Sequence, residues 1–110
     1  MDVECCYRPE DPFAVELDFG ADEQGTVWVV SREMLAVGLR EPAGDGDVHI
    51  EPGDGGEVFV ALGGRAGVAL LSAPAAALAR FLAETEQLVP DGAEASHIDW
   101  DRCIRQLLSV

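Results

Sequence analysis

The residue types that most often carry chemistry are few in this chain. It has two histidines, His49 and His97, and three cysteines, Cys5, Cys6 and Cys103. A structural zinc site needs paired ligands at set spacings, such as two cysteines separated by two residues. The adjacent Cys5 and Cys6 lack that spacing, while His49 stands in a predicted strand and His97 before a predicted helix. The pattern predicts neither a metal site nor a bound cofactor.

Catalysis by the N-terminal thiols is disfavoured by the charges near them. A nucleophilic cysteine needs a lowered pKa, which neighbouring cations provide. The first ten residues contain three acidic side chains and Arg8 as the only basic one, so the pKa of either thiol should rise. An odd number of cysteines without a signal-peptide pattern predicts a reducing compartment, the cytoplasm.

Paired carboxylates occur twice, at Asp45 with Asp47 and at Asp99 with Asp101. Such a pair performs acid–base catalysis when burial separates the two pKa values. The first pair lies in a glycine-rich loop and the second in a predicted first helical turn, where solvent and the helix dipole stabilise the charges. No nucleophile–base pairing is visible, so a hydrolase or thiol enzyme is the least favoured interpretation and we predict no catalytic residue.

The net charge separates the remaining classes of function. The chain has 21 acidic residues against seven arginines, and its formal net charge is -14. A nucleic-acid-binding protein gains most of its affinity by neutralising phosphates, which this charge would repel. No apolar run approaches the roughly 18 residues of a membrane span. The leading prediction is therefore a cytoplasmic protein that binds other proteins.

Alternating and helical hydrophobic patterns predict the elements that position these residues. Strands are expected at residues 13–19, 26–30, 48–51, 58–62 and 68–71, with a hairpin loop at 63–67. Ser31 is expected to cap a short helix that ends near Gly38. A second helix is expected from Ser72 and Pro74 to about Leu88, with an inward stripe at Leu78, Phe81, Leu82 and Thr85.

The C-terminal segment shows the spacing of a third helix. Asp99 is the expected cap, and the apolar residues at i, i+3, i+4, i+7 and i+8 are Trp100, Cys103, Ile104, Leu107 and Leu108. Cys103 would then be a buried small hydrophobe. The order of elements predicts a mostly antiparallel β-sheet with helices on one face, a single α+β domain over residues 1–110.

Five segments in order, over about residues 7–108, carry a family resemblance. They are Asp11-Pro12-Phe13-Ala14-Val15 through Phe19, Trp28-Val29-Val30-Ser31-Arg32-Glu33-Met34-Leu35-Ala36-Val37-Gly38-Leu39, Gly44-Asp45-Gly46-Asp47-Val48 through Pro52, Leu70-Leu71-Ser72-Ala73-Pro74 through Val89-Pro90-Asp91-Gly92, and His97-Ile98-Asp99. Together they resemble the SsgA-like family of sporulation and cell-division regulators from filamentous spore-forming bacteria.

The resemblance implies a fold similar to the Whirly type and assembly into small homo-oligomers such as trimers. It also implies a cytoplasmic regulator recruited to division septa, which helps place the division protein FtsZ or acts in septum and spore-wall formation. Other SsgA-like proteins are expected partners, and no enzymatic activity or cofactor is implied. Because Whirly-type relatives use their sheet to bind single-stranded nucleic acid, that activity is the alternative, and the acidity argues against it.

The N-terminus departs from the family pattern, since only residues 1–6 precede Tyr7. This predicts a shortened N-terminal strand region and an exposed sheet edge.

Four residues are candidates for a protein-binding surface. Phe59 lies opposite Val58 and Val60 in its predicted strand, so either a helix covers it or it faces a partner. FtsZ-type proteins are also acidic, so net attraction cannot supply specificity. An apolar patch rimmed by Arg32, Arg40 and Arg65 is expected instead.

Overall fold

The computed structural model describes residues 2–18, 27–64, 67–94 and 104–109. These residues form two four-stranded antiparallel sheets and two helices. Sheet A contains β1 (Asp2–Tyr7), β2 (Ala14–Asp18), β3 (Val27–Ser31) and β8 (Ile104–Ser109). Sheet B contains β4 (Ala43–Asp45), β5 (Val48–Pro52), β6 (Glu57–Gly64) and β7 (Gly67–Pro74). The helices are α1 (Arg32–Gly38) and α2 (Ala75–Leu88).

Both sheets share one hydrophobic core with the helices. Side chains alternate between the two faces of a strand, so one face of each sheet is buried. Val15 and Leu17 of β2 point inward from sheet A, and Val58, Val60 and Leu62 of β6 point inward from sheet B. The buried stripe of α2 is the one predicted from helical spacing, Leu78, Phe81, Leu82 and Thr85.

The predicted α+β architecture is confirmed, with two sheets in place of one. The run of three predicted strands is β5, β6 and β7, which pair as antiparallel neighbours. The strands predicted at 13–19 and 26–30 are β2 and β3, and they belong to sheet A. Strands β6 and β7 extend to Gly64 and Gly67, further into the predicted loop, and Arg65 lies outside the described residues. The glycine-rich loop after Glu41 also contains the short strand β4.

The N-terminal segment is itself a strand, and its shortening relative to the family stays a prediction. Residues Asp2–Tyr7 form β1 in the interior of sheet A, paired with β2 on one side and β8 on the other. Val3, Cys5 and Tyr7 are fully buried at alternating positions. The same alternation is present in the sequence, where Cys5 counts as a small hydrophobe.

The predicted C-terminal helix is wrong over the residues that the structure describes. Ile104–Ser109 is strand β8, and each of its residues pairs with one residue of β1. Apolar residues at helical spacing satisfy a helix pattern, but unpaired backbone groups along β1 would be costly if left without a partner. Strand pairing therefore overrides the local pattern. Asp99, Trp100 and Cys103 lie outside the described residues.

The two described cysteines differ from each other. Cys5 is a free thiol inside the core, and burial raises its pKa to about 12. A thiol with that pKa is not a nucleophile at neutral pH. Cys6 is disulfide-bonded, and the predicted reducing compartment stays a prediction.

Candidate functional site

Arg32, predicted as part of a binding rim, lies inside the fold. It is the first residue of α1, directly after Ser31, whose Oγ accepts a hydrogen bond from the Met34 amide at 3.1 Å. This confirms the predicted cap. The Arg32 amide donates to the Phe13 carbonyl at 2.9 Å, which ties the start of α1 to the start of β2. These two contacts fix the backbone at Arg32. Its side chain points inward, and only 5% of the residue's surface is exposed.

The Arg32 guanidinium binds the C-terminal end of α2. Its Nη1 donates to the Val89 carbonyl at 2.8 Å and to the Thr85 carbonyl at 3.3 Å. The last carbonyls of a helix lack partners within the helix and carry its negative dipole end. Helix α2 has no basic residue in its own last turn, so Arg32 supplies the cation from another element.

Glu94 balances the charge of Arg32. Its Oε2 accepts from Arg32 Nη2 at 2.7 Å, and its Oε1 accepts from the Gly92 amide at 2.8 Å. Gly92 has a φ of 93°, a left-handed conformation that favours glycine and turns the chain back toward Arg32. Hydrogen bonds from its own backbone N–H and from Arg32 lower the pKa of Glu94.

Tyr7 completes this cluster from sheet A. Its ring lies 5.2 Å from the Arg32 guanidinium carbon, a cation–π arrangement, and its hydroxyl donates to the Pro12 carbonyl at 2.9 Å. Burial raises the pKa of the Tyr7 hydroxyl, and the positive charge of Arg32 opposes that shift. The Arg32 cluster, defined as Tyr7, Arg32, Thr85, Val89 and Glu94, therefore joins β1, α1 and α2 in the interior.

Phe59 lies on the outer face of sheet B, with 46% of its surface exposed, and its position opposite Val58 and Val60 is the one that the strand pattern predicted. Val68 and Leu70 of β7 share this face and are 70% and 71% exposed. In the register of β6 and β7, Ala61 pairs with Leu70. Phe59 lies two residues before Ala61 on the same face of β6. We call Phe59, Ala61, Val68 and Leu70 the sheet B patch. Exposed, contiguous apolar side chains of this kind are typical of protein-binding surfaces.

A polar pair borders the sheet B patch. His49 pairs with Ala61 and Glu51 pairs with Phe59 across β5 and β6, and His49 Nε2 lies 3.3 Å from Glu51 Oε1. Neither Val68 nor Leu70 was a candidate from the sequence, because residues 68–71 are apolar on both faces. The pattern therefore does not show which face is outward. Pairing with β6 decides it.

Two predicted candidates remain, Arg40 and Arg65. Arg40 is exposed just beyond α1, and Arg65 lies outside the described residues. Among the described residues, no group of three or more histidine, cysteine, aspartate or glutamate side chains is placed to hold a metal ion. None of the described helices is long and apolar enough to cross a membrane.

A family model described as Streptomyces sporulation and cell division protein, SsgA, matches residues 1–94. The chain belongs to the SsgA family. The sporulation-specific cell division protein SsgB of Streptomyces coelicolor is 42% identical over 107 residues, which cover 94% of this chain and 78% of that protein. SsgB of Salinispora tropica is 41% identical over 109 residues, which cover 94% and 76%. The resemblance carried by the five sequence segments is thereby confirmed.

Two solved structures share this fold. One comes from work on SsgB mutations and longitudinal cell division during sporulation of Streptomyces coelicolor, with a TM-score of 0.75, 35% identity and coverage of 88% of this chain and 95% of that chain. The other is an SsgA-like sporulation-specific cell division protein from Thermobifida fusca, with a TM-score of 0.75, 32% identity and coverage of 90% and 87%. These matches confirm the α+β fold of the family; the likeness to the Whirly type stays a prediction.

Proposed function

We propose that this chain acts in sporulation-specific cell division as a non-enzymatic protein that binds other division proteins. The observation that carries the proposal is its membership of a family whose similar relatives are named sporulation-specific cell division proteins. Its partners are an FtsZ-type division protein or other SsgA-like chains, including further copies of itself. It acts at the septum, in septum placement or in septum and spore-wall formation.

The sheet B patch is the contact surface we assign to this function. An acidic chain repels an acidic partner at long range, so specific binding needs short-range apolar contact. Three side chains that are 46% to 71% exposed provide that contact without placing a carboxylate at the centre of the patch. Burying them against a partner removes apolar surface from water, which stabilises the complex.

A fluorescent fusion in sporulating cells tests the cellular role. We expect the fusion to concentrate at sporulation septa, and a deletion strain to place or complete those septa abnormally. Diffuse signal throughout sporulation, together with normal septation in the deletion strain, would contradict the proposal.

A matched pair of substitutions tests the contact surface. Leu70→Asp places a charge in the sheet B patch, whereas Val29→Asp places the same charge on β3 of sheet A, where Val29 is 59% exposed. Because both positions are exposed, both variants should remain folded by circular dichroism. We expect Leu70→Asp to abolish capture of an FtsZ-type protein or of an SsgA-like partner, and Val29→Asp to retain it. Equal capture by the two variants would refute the patch.

A further inference from the structure

A second concave surface lies on the solvent side of the Arg32 cluster. It is a groove of about 210 Å³ bounded by Phe13, by Glu33 and Ala36 of α1, and by Glu86 and Asp91 at the end of α2. The buried Arg32–Glu94 pair also lines it. We call it the α1–α2 groove. Pockets for drug-sized ligands measure about 300–1,000 Å³, so this groove suits a single side chain better than a small molecule.

The electrostatics of the α1–α2 groove favour a cation. Arg32 and Glu94 neutralise each other, so their pair adds no net charge. Glu33, Glu86 and Asp91 are exposed, and among the described residues no arginine forms an ion pair with any of them. Glu86 accepts a hydrogen bond from the Asp91 amide at 2.8 Å, which orients its carboxylate without cancelling the charge.

Phe13 provides an apolar wall beside these carboxylates. Its side chain is 62% exposed, although phenylalanine is usually buried. Its backbone is held in place, because its carbonyl accepts from the Arg32 amide and the next amide, Ala14, donates to the Asp11 carbonyl at 3.2 Å. An aromatic ring beside carboxylates suits a guanidinium or ammonium group, since the ring attracts the cation and the carboxylates accept its hydrogen bonds.

A shallow depression of about 480 Å³ lies on the other side of α1. Its lining includes Met34, Val37 and Pro42, and it shares Ser31 and Glu33 with the α1–α2 groove. A chain segment crossing α1 at Glu33 would therefore meet an acidic, aromatic site on one side and, on the other, a surface that carries Met34, Val37 and Pro42 and no carboxylate besides Glu33.

We propose that the α1–α2 groove binds an arginine or lysine side chain of a partner protein, and that an adjacent apolar side chain of the same segment lies in the depression across α1. This surface is separate from the sheet B patch and does not depend on it. Hydrogen bonds within the chain hold the backbone of Phe13 and Asp91 and the side chains of Arg32 and Glu94, so less entropy is lost when the site binds a partner.

An NMR titration of the full chain tests this proposal with a capped Leu-Arg-Leu peptide as the probe. A matched peptide carries citrulline, which is neutral and nearly the same shape, in place of arginine. We expect the arginine peptide to shift the amide signals of Ala36, Asp91 and Gly92. We expect the citrulline peptide to bind at least about tenfold more weakly, because it lacks the charge that strengthens these hydrogen bonds.

Variants separate the groove from the general acidity of the chain. Glu33→Gln combined with Asp91→Asn should lower the affinity for the arginine peptide about tenfold or more, and Phe13→Ala should lower it severalfold. Glu84→Gln removes an exposed carboxylate of α2 that does not line the groove, and should leave affinity unchanged. Circular dichroism confirms that each variant is folded.

Three results would overturn the proposal. They are equal affinity for the arginine and citrulline peptides, shifts spread evenly over the acidic surface, or an effect of Glu84→Gln as large as that of the groove variants. Because the probe is a peptide and the readout is local to the groove, these outcomes are independent of any result for the sheet B patch.

Discussion

Two arginines of this chain each pair with a glutamate over almost the same distance. Arg32 Nη2 lies 2.7 Å from Glu94 Oε2, and Arg8 Nη1 lies 2.6 Å from Glu16 Oε1. Their surroundings differ, since the side chains of the first pair are 6% and 10% exposed and those of the second are 36% and 37% exposed. The first pair lies at the junction of α1 and α2, and the second links Arg8, just after β1, to β2.

The difference shows that the N–O distance alone does not determine how much an ion pair stabilises the fold. Water screens the Arg8–Glu16 pair and solvates either partner when the other is removed. Little water reaches the Arg32–Glu94 pair, so removing one partner leaves the other charge buried without a counter-charge or solvent to stabilise it. Arg32 also binds the Val89 and Thr85 carbonyls, so its loss leaves the end of α2 without its cation.

The largest effect is expected for Arg32→Met, which keeps the apolar stem and removes the guanidinium. Unfolding in urea should show a loss of about 3–5 kcal/mol, the range for breaking a buried pair. The double variant Arg32→Met with Glu94→Gln should recover part of that loss, because the unpaired charge is then absent. A loss below about 0.5 kcal/mol, typical of a surface position, would contradict the assignment of Arg32 as a structural residue.

Acid should break the Arg32–Glu94 pair by protonating the Glu94 carboxylate. The folded-state pKa of Glu94 lies below its ordinary value of 4.5, so its carboxylate stabilises the fold fully above that pH. The contribution is lost as the pH falls through the folded-state pKa. The difference in unfolding free energy between the wild type and Glu94→Gln should therefore shrink on acidification. A difference that stays constant, as for the exposed control Glu84→Gln, would contradict this coupling.

A smaller effect is expected at the cap that orients Arg32. Ser31→Ala removes the side-chain acceptor of the Met34 amide and should lower the unfolding free energy by about 1 kcal/mol. Ser72→Ala is the matched control, since Ser72 is exposed on β7 and caps no helix. Similar losses for both variants would show that the cap does not matter.

The smallest effect is expected at the exposed pair. Arg8→Met should cost less than about 1 kcal/mol, and the loss should decrease with added salt because exposed charges are screened. Arg80→Met, at an exposed position of α2, controls for removing a positive charge from an acidic chain. An Arg8 effect as large as that of Arg32, or one insensitive to salt, would show that burial does not explain the contrast.

Local patterns were sufficient where the partners of an element lie nearby in the sequence. Strands β5, β6 and β7 follow one another as hairpins, and α2 buries the stripe read from its own spacing. Ser31 was predicted as a cap because its partner, Met34, is three residues away. Alternation alone placed Phe59 opposite Val58 and Val60 in its strand.

Long-range pairing was beyond the sequence pattern. Arg32 looked like a surface residue of a short helix, yet its partner Thr85 is 53 residues away and Glu94 is 62 residues away. Strand β8 had helical spacing, and only its pairing with β1 makes it a strand. The outward position of Val68 and Leu70 also depends on a neighbour, because the apolar run in β7 has no polar face of its own.

The sequence by itself determined the acidity, the α+β class, the helix α2 and the family, because composition, periodicity and ordered segments are local properties of the chain. Only the tertiary structure decided that Arg32 is buried while Phe13, Val68 and Leu70 are exposed. Burial depends on which distant segments cover a residue, and the free energy of an ion pair depends on the water that those segments exclude. The α1–α2 groove and the placement of Val68 and Leu70 in the sheet B patch follow from that second kind of information.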